Sequence, residues 1–346
     1  MAPRNAGLPN GRRPSISDVA EMAGVSNSAV SKVIRGAYGV SPLMRAKVED
    51  AIKKLGYRPR TGARSMRGRS QLIGIEIPHL GNEFFTQIIG GVQERLAETS
   101  FQLVIAPPSR KEKIGAALFA LLDHQVDGII SVAPDLKPNE LASISRQAPL
   151  VTIGRHDKSQ EYDSVVSDDA FGTELAMQHL YDVGHRDIAH VTITPDLDLP
   201  DARQPHPIRR DAYEKFMHEH DLVPRVVLCN PLVSEDTYPL TVELLTGPNR
   251  PSAIFAGHDV VAMEVLRAII DCGFTSQEVA LVGYDDISLA EHPLIGMSTV
   301  RQYGALMGRR AVDLLLERIE GARDTANQLT ITPKLMERRT SVPVTK

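Results

Sequence analysis

Apolar residues near the start of the chain recur at helical spacing in three short stretches. Positions 16, 19, 20 and 23 share one face of a first predicted helix, and positions 30, 33 and 34 share one face of a second. Ser15 and Asp18 have the spacing of a capping box, and Ser26 caps the second helix. A third helix runs to a glycine at position 56. The pattern predicts a small three-helix domain over residues 15–58.

From residue 71 the pattern changes to short apolar runs that alternate with helical stretches. Such alternation is typical of right-handed crossover units, in which helices cover both faces of a parallel sheet. Two sets of four runs predict two similar open sheets in an α/β fold, with a ligand cleft between them at the carboxyl ends of the strands. The runs lie at 72–77, 101–106, 128–133 and 149–154, and then at 188–193, 225–230, 252–257 and 279–284.

Composition is that of an ordinary globular protein, but the charge is divided unevenly. Of 346 residues, 42% are hydrophobic and 24% are charged, and no run has the length and purity of a transmembrane helix. Residues 1–70 carry 14 Lys and Arg against 4 Asp and Glu, whereas the rest of the chain carries 25 against 39. This asymmetry predicts that affinity for a polyanion is confined to the head. The proline-, glycine- and arginine-rich residues 1–14 predict a disordered arm.

The second predicted helix leaves polar side chains outside its apolar stripe. They are amide, hydroxyl and cationic groups, the types that contact base edges and phosphates in a major groove. Two helices around a tight turn, with such a face on the second, fit a helix-turn-helix. An ordinary helical hairpin with a solvated polar face is the alternative that these residues leave open.

Three stretches resemble the DNA-binding half of the lactose repressor/galactose repressor (LacI/GalR) family of bacterial transcription regulators: DVAEMAGVSNSAVSKVIRG, KLGYRP and the arginine-rich linker. The resemblance implies that Asn27, Ser28 and Lys32 read bases. It also implies a hinge helix that folds on DNA, with Met66 where the family wedges an apolar side chain into the minor groove. The DNA-binding residues expected on these grounds are Ser26, Asn27, Ser28, Ser31, Lys32, Arg35, Arg60, Ala63, Arg64 and Met66.

The body of the chain resembles the effector domain of the same family, which shares its fold with periplasmic sugar-binding proteins. The resemblance covers about residues 15–340 and implies two lobes, joined by three crossovers, that close around a small molecule. The final strand, within LTITPKLMERRTS, is expected in lobe two. The expected divisions are an arm (1–14), a helix-turn-helix domain (15–58), a hinge linker (59–70), and an effector-binding and dimerisation domain (71–346) with lobe one at about 71–170 and 301–328 and lobe two at about 171–300 and 329–342.

Candidate ligand contacts follow two strands of lobe one. Phe84 and Phe85 come after the first strand, where a ring stacks on a sugar or a base or instead packs into the core. Arg155 and Asp157 come after the fourth strand. They form a cation and anion suited to neighbouring hydroxyl groups, or a simple surface ion pair.

Further candidates lie at the first crossover and in lobe two. Asp168 matches an acidic position of the family, but Asp168 and Asp169 are equally suited to cap the next helix. Arg209 aligns with the arginine that the family points into the cleft, and its fork binds vicinal hydroxyls, a carboxylate or a ring oxygen. Asp259 and Asp285 both end strands, and Asp259 is also a candidate cap. These groups favour a sugar or sugar derivative, while the phenylalanines leave a purine or nucleoside open.

Other function classes find little support in the sequence. It contains no phosphate loop, nucleophile elbow, dinucleotide-binding glycine pattern or histidine–cysteine metal spacing, so we expect no enzyme, no cofactor and no metal site. We expect the two cysteines to be small buried hydrophobes. The histidines at 156, 185, 190, 206 and 258 are expected at the surface or at helix ends. A solute-binding protein fits the body but has no use for the basic head.

The sequence therefore predicts a cytoplasmic, sequence-specific transcription regulator, expected to be a repressor. It would bind a palindromic operator as a homodimer, because two-fold DNA sites mirror two-fold proteins. A small-molecule effector would control its affinity for DNA. The first 14 residues contain no apolar run, so we expect neither export nor membrane attachment. The chain ends in TSVPVTK without a leucine-heptad tail, so we expect a dimer rather than a tetramer.

Overall fold

The computed structural model describes residues 12, 14–34, 37–57, 69–106, 115–194, 204–230 and 236–341. Two compact units divide the chain, one within residues 1–70 and the other within 71–346. Most of the predicted arm and of the hinge linker lies outside the described residues. Arg12 of the arm is described, and its guanidinium donates to both carboxylate oxygens of Asp18, at 2.6 and 3.0 Å.

The first unit contains the three helices that the sequence predicts: α1 (Ile16–Ala23), α2 (Asn27–Ile34) and α3 (Pro42–Leu55). The capping box at the start of α1 is confirmed, since the Ser15 amide donates to the Asp18 carboxylate at 2.7 Å. The buried stripes of the three helices meet in one small core that includes Val19, Val30 and Val48, all fully buried. Apolar periodicity thus builds the unit, and the polar face of α2 is left outside it.

The second unit alternates strands and helices as predicted. Two strands, β5 and β10, were not among the predicted runs. The described helices are α4 (Glu83–Leu96), α5 (Ala116–Asp123), α6 (Pro138–Ser145), α7 (Asp169–Asp182), α8 (Pro205–Glu219), α9 (Thr237–Thr246), α10 (Asp259–Asp271) and α11 (Gly304–Glu320). The described strands are β1 (Leu72–Glu76), β2 (Gln102–Ala106), β3 (Gly128–Val132), β4 (Leu150–Ile153), β5 (Asp163–Ser167), β6 (Ile188–Ile193), β7 (Arg225–Cys229), β8 (Ala253–Ala256), β9 (Ala280–Asp285), β10 (Ser298–Arg301), β11 (Gln328–Ile331) and β12 (Lys334–Met336).

The strands form two six-stranded sheets with matching topology. The order is β11-β5-β4-β3-β1-β2 in the first sheet and β12-β10-β9-β8-β6-β7 in the second. All pairings are parallel except that of β12 with β10. The sheet of lobe one packs with α4 and α11 on one face, and the sheet of lobe two packs with α7 and α8 on one face. Carboxyl strand ends therefore gather at one edge of each sheet, where ligands bind in this architecture.

The chain passes between the lobes three times: from β5 to α7, from β10 to α11, and from β11 to β12. The last passage differs from the sequence prediction, which placed 329–342 entirely in lobe two. Gln328–Ile331 pairs with β5 in lobe one, and Lys334–Met336 pairs with β10 in lobe two. Pro333 separates the two strands, and proline lacks the amide hydrogen that a continuous ladder would need.

Two glycines let α11 approach α4 closely in the core of lobe one. A methyl group at Gly91 would collide with the backbone of Ala305, and one at Gly308 would collide with the backbone of Ile88. This contact holds the third part of lobe one against the first. It also fixes the start of α4, which faces the cleft between the lobes.

Candidate DNA-binding and effector-binding sites

The polar face of α2 is positioned by the buried valines behind it. Val30 and Val33 are 0% and 5% exposed, and they hold the opposite side of the helix outward. Ser26 caps the helix as predicted, with its hydroxyl accepting from the amide of Ala29 at 3.2 Å. The Ser26 hydroxyl also lies 2.8 Å from that of Ser28. The helix therefore presents a preformed set of short polar groups at its amino end.

The predicted contact residues of this unit are placed as follows. Ser26, Asn27, Ser28 and Lys32 are exposed, and Ser31 is half-buried. Asn27 donates to the Ser17 hydroxyl of α1 at 3.2 Å, which orients its amide. The remaining predicted contacts, Arg35, Arg60, Ala63, Arg64 and Met66, lie outside the described residues, as does the expected hinge helix.

The two phenylalanines after β1 have different environments. Phe84 is 7% exposed and belongs to the core of lobe one, so the structure places it as packing rather than as a ligand surface. Phe85 is half-buried, and the ring of His79 stands edge-on to it at 5.2 Å. Only Phe85 of this pair is therefore placed to offer an aromatic surface.

Arg155 and Asp157 serve the interior of lobe one. Arg155 is fully buried; its Nε donates to Asp157 at 2.7 Å, and its Nη1 donates to the carbonyl oxygens of Pro134 and Leu136, both at 2.7 Å. The second oxygen of Asp157 accepts from the Tyr162 hydroxyl. The pair is neither a surface ion pair nor open to a ligand. It fastens the loop after β4 to the loop after β3.

The two aspartates at the first crossover have separate roles. Asp168 is exposed and caps α7, accepting from the amide of Phe171 at 3.0 Å. Asp169 is 1% exposed. One of its oxygens accepts from Nε of Arg209 at 2.7 Å, and the other lies 2.7 Å from Nε2 of His156. Burial alone would raise the pKa of Asp169, but the charge of Arg209 and the hydrogen bond from His156 lower it below its usual value. The sequence had indicated only a capping role for Asp169.

Arg209 projects from the second turn of α8 and is 3% exposed. Its Nη1 donates to the Gly257 carbonyl at 2.7 Å, and its guanidinium lies 3.6 Å over the centre of the Tyr284 ring. Its Nη2 makes no hydrogen bond to a described residue and is not sealed from solvent. The guanidinium of Arg209 is therefore held in one orientation by Asp169, Gly257 and Tyr284. Its Nη2 is the donor that these contacts leave over.

Asp259 is occupied within lobe two. It is fully buried, and its two oxygens accept from the Ile287 amide at 2.9 Å and from the Thr299 hydroxyl at 2.6 Å. Burial and the nearby charge of Asp285 raise the pKa of Asp259 well above its usual value. The cap of α10 is His258 rather than Asp259. Neither of the two roles predicted for Asp259, ligand contact or cap, matches these contacts.

One oxygen of Asp285 is buried without a partner in the part of the chain that the structure describes. Its Oδ1 accepts from Nε2 of Gln302 at 2.5 Å, whereas its Oδ2 has no hydrogen bond of normal geometry within the described residues, although Asn82 of lobe one faces the same carboxyl group. Burial raises the pKa of Asp285 to about 7, against the opposing effect of Arg209. The backbone φ of Asp285 is 123°, a region that favours glycine, so the backbone at this position is strained.

Two histidines beside Arg209 were not predicted as site residues. His206 and His258 are half-buried, and their ring centres are 5.3 Å apart. Nδ1 of His206 lies 3.3 Å from the Thr192 hydroxyl, at the end of β6. His206 precedes Arg209 by three residues, so the two share a helix face. That spacing, and the position of His258 directly after a strand, were the available signals in the sequence.

Two other histidines are buried, which corrects the expectation of surface positions. His190 and His185 are 0% and 1% exposed. His190 stacks on Phe255 at 4.7 Å between ring centres, and its Nδ1 lies 2.9 Å from the Phe255 carbonyl oxygen. Burial lowers the pKa of His190 to about 4. The apolar run IAHVTI that contains it was the signal for burial.

A buried carboxyl group in lobe one also escaped sequence reasoning. Glu76, at the end of β1, is 9% exposed and accepts from the Ser131 hydroxyl at 2.5 Å. Burial raises the pKa of Glu76 to about 7, and the negative charge of Asp135 acts in the same direction. Asp135 in turn accepts from Gln204 of lobe two at 2.7 Å.

A second contact joins the lobes near Asp285. Glu83 at the start of α4 accepts from the Ser288 amide at 2.8 Å, and Gln87 donates to the Asp286 carbonyl at 3.1 Å. The two lobes therefore touch through polar groups on both sides of the cleft. Between these contacts, Arg209 and Asp285 offer a donor and an acceptor suited to a small polar molecule.

Comparison with known proteins identifies both units. The sequence pattern of bacterial regulatory proteins of the lacI family matches residues 15–60, and that of a periplasmic binding protein-like domain matches residues 177–341. Among similar proteins, the ribose operon repressor of Escherichia coli (strain K12) is 31% identical over 331 residues, which are 94% of this chain and 98% of that protein. Within the described residues, no helix is long and apolar enough to cross a membrane.

Solved structures of similar fold include complexes of two transcription regulators. The lac repressor dimer bound to operator and the anti-inducer ONPF is 25% identical, with a TM-score of 0.78 over 96% of this chain and all of that chain. The complex of the transcriptional regulator CelR with cellobiose is 28% identical, with a TM-score of 0.69 over 95% of this chain and all of that chain. The full-length match to the ribose operon repressor, together with the helix-turn-helix pattern, shows that the chain belongs to the LacI family of bacterial regulatory proteins.

Proposed function

We propose that this protein is a cytoplasmic repressor that binds a palindromic operator as a homodimer and is controlled by a small polar effector between its lobes. The observation that carries the proposal is the combination, in one chain, of a preformed polar face on α2 and a cleft in which, among the described residues, Arg209 has an accessible donor and Asp285 has an unpaired acceptor. A solute-binding protein or an enzyme would need only the second of these features.

The DNA contacts are assigned from the exposure of α2. Asn27, Ser28 and Lys32 stand outward at the amino half of the helix, where such side chains read base edges in the major groove. Ser26 and Ser31 are proposed to contact phosphates on the strength of the family resemblance. Arg35, Arg60, Ala63, Arg64 and Met66 are proposed to extend the interface on the resemblance alone.

The homodimer follows from the operator and from a relative. A single three-helix unit makes few phosphate contacts, and a two-fold protein doubles them on a palindromic site. The lac repressor structure that this fold matches is a dimer bound to operator. We therefore propose two protomers per operator, each with its own α2 in a major groove.

The effector is proposed to lie against Arg209 and Asp285. Arg209 keeps one donor nitrogen, and Asp285 keeps one acceptor oxygen, so neighbouring hydroxyl groups of a sugar or sugar derivative would satisfy both. A purine is less well supported, because Phe84 belongs to the core and Phe85 alone remains as a stacking surface.

Selection of DNA from a random pool by the full-length protein tests the first half of the proposal. We expect a palindromic site, and we expect Lys32→Ala to lose most discrimination between that site and scrambled DNA, because a base contact is typically worth about 1–3 kcal/mol. Lys47→Ala, which removes the same charge from an exposed position of α3, is the matched control and should retain discrimination. Equal discrimination by both variants would remove the reading role from Lys32.

A calorimetric screen against sugars, sugar phosphates, polyols and purines tests the second half. A hit that changes the affinity for the selected DNA is the expected result, with a coupling of about 1–3 kcal/mol. Binding of a compound without any change in DNA affinity would contradict effector control.

A further inference from the structure

The cleft wall of lobe two is built from basic groups. Arg209 lies near His206, three residues before it on α8, and near His258, which follows β8. Both histidines lie close enough to Arg209 for its charge to lower their pKa, in addition to the larger effect of burial. His79 of lobe one acts on His258 in the same way from across the cleft. The basic wall, as we call Arg209, His206, His258 and His79, therefore spans both lobes.

The outward nitrogens of this wall are available as donors. Nδ1 of His258 accepts the Val261 amide hydrogen at 3.0 Å, so the hydrogen of the neutral ring must sit on Nε2. Nε2 of His206 and of His258 makes no hydrogen bond to a described residue, and neither atom is sealed from solvent. Together with Nη2 of Arg209, three nitrogens can donate to one bound group.

The acidic groups near the wall are occupied or partly protonated, so its unpaired groups face few acceptors. Asp169 is committed to Arg209 and His156, and Asp259 is committed to donors of lobe two. Asp285 faces the same space, but burial raises its pKa to about 7, so protonation removes much of its charge near neutral pH. Glu83 is bound to the Ser288 amide at the rim.

We propose that the effector carries an acidic group, a carboxylate or a phosphate on a polyhydroxylated body, and that the basic wall binds this group. The inference rests on the proposed function of the cleft and narrows its ligand class. Burial keeps both imidazoles neutral near pH 7, with a pKa of about 3 for His258, so the unpaired groups of the wall are N–H donors. A carboxylate or phosphate offers only acceptor oxygens to them, whereas a neutral hydroxyl would use these donors only in part. The hydroxyl groups of the same ligand are left to Asp285 and Gln302.

The proposal predicts that effector affinity depends on pH and that binding is coupled to proton uptake. The pKa of His258 is about 3 and that of His206 lies well below its usual value before a ligand binds. An anion raises both pKa values on binding, so the histidines take up protons, and the complex tightens, as the pH falls towards these raised values. Protonation of Asp285 acts in the same direction, because it removes a negative charge from the site. A neutral ligand would show neither effect from the histidines.

The test is calorimetric titration of the full-length protein at pH 6.0 and 8.0, in buffers of different ionisation enthalpy. The probes are gluconate and glucuronate for the carboxylate, glucose 6-phosphate and ribose 5-phosphate for the phosphate, and glucose and ribose as neutral counterparts. Inorganic phosphate serves as a probe of the basic wall alone. We expect an anionic probe to bind at least about 10-fold tighter than its neutral counterpart, and at least about 10-fold tighter at pH 6.0 than at 8.0, with net proton uptake.

Variants assign the effect to the wall. His258→Asn keeps a side-chain acceptor to cap α10 but removes Nε2. Combined with His206→Asn, it should lower anion affinity at pH 6.0 by about 10-fold and reduce proton uptake, leaving the part due to Asp285. His218→Asn, at an exposed position of the same helix α8, should change neither quantity.

The outcomes separate this inference from the function on which it rests. If a neutral sugar binds as tightly as its acid and the double variant binds it unchanged, the basic wall is not the anion site, and effector control stands. If no anionic probe and no inorganic phosphate binds at pH 6.0, the inference is likewise overturned. Loss of any ligand response on DNA, with anion binding intact, would instead contradict the proposed function.

Discussion

The two lobes have the same strand order but use a buried arginine in opposite ways. In lobe one, Nε and Nη1 of Arg155 donate to partners of the same lobe, and its Nη2 is sealed from solvent. In lobe two, Arg209 is held just as firmly by Asp169 and Gly257, but its Nη2 remains accessible. The difference shows that the surroundings of the last nitrogen, rather than the residue type or its place after a strand, separate a structural clamp from a ligand contact.

The largest expected effect comes from removing the clamp of lobe one. Arg155→Met should lower the free energy of unfolding by about 3–5 kcal/mol, because it leaves Asp157 buried without its cation. Urea denaturation measures the loss. Arg146→Met, which breaks an exposed pair with Glu161 at 3.5 Å, is the control and should cost at most about 1 kcal/mol. Similar losses in the two variants would contradict the clamp.

The pH dependence of stability should differ between the lobes, beginning with His190 in lobe two. His190 is buried neutral with a pKa of about 4, against 6.5 for an ordinary histidine. Between pH 6.5 and 4 the unfolded chain binds a proton that the folded chain excludes, so stability falls as the pH falls, by up to about 3 kcal/mol. His190→Phe keeps the stack on Phe255 and should flatten the stability curve in this range. An unchanged slope would mean that other groups carry it.

Glu76 in lobe one should act with the opposite sign. Its pKa of about 7 lies above the ordinary 4.5, so the folded chain holds a proton that the unfolded chain has lost. The contribution is complete below pH 4.5 and is lost as the pH rises to 7, by a comparable ~3 kcal/mol. Denaturation of Glu76→Gln across this range should show a flatter curve than the wild type. A steeper curve would contradict the assignment.

Substitution of Arg209 should change a free energy by less than the substitutions above, but the change falls on effector binding and not on folding. Arg209→Lys keeps the charge but loses the planar fork, so effector affinity should fall by about 10-fold or more, which is about 1.4 kcal/mol, with DNA affinity unchanged. Calorimetry with the strongest ligand from the screen measures the change. Arg210→Lys, at the next and more exposed position, is the control. Equal affinities in the two variants would move the site away from Arg209.

Local sequence signals predicted much of the fold. Apolar periodicity and caps predicted the three helices of the first unit, and the apolar runs predicted eight of the twelve described strands at close to their observed bounds. β5 and β10 escaped because their sequences, DSVVS and STVR, mix polar residues with few apolar ones. Burial of both polar and apolar positions in these central strands follows from their neighbours in the sheet, which no local window contains.

The sequence predicted that the effector site lies at the carboxyl ends of the strands, but it did not predict which side chains there are free to contact a ligand. Strand ends pointed to Arg155, Asp259 and Asp285, and the family resemblance pointed to Arg209. Long-range partners then separated them: Thr299 and the Ile287 amide occupy Asp259, while one oxygen of Asp285 stays unpaired. The grouping of His206 with His258 likewise depends on the packing of α8 beside β6 and β8, so single residues gave little sign of it.

The most direct test of the account is the affinity of the full-length protein for its selected palindromic DNA, measured by fluorescence anisotropy with and without the strongest ligand from the screen. In the wild type the ligand should change DNA affinity by about 5- to 150-fold, in keeping with typical allosteric coupling. Arg209→Ala should bind the DNA equally well without ligand and show less than about a 2-fold change with it. A ligand-induced change of the same size in both proteins would contradict control through the cleft of lobe two.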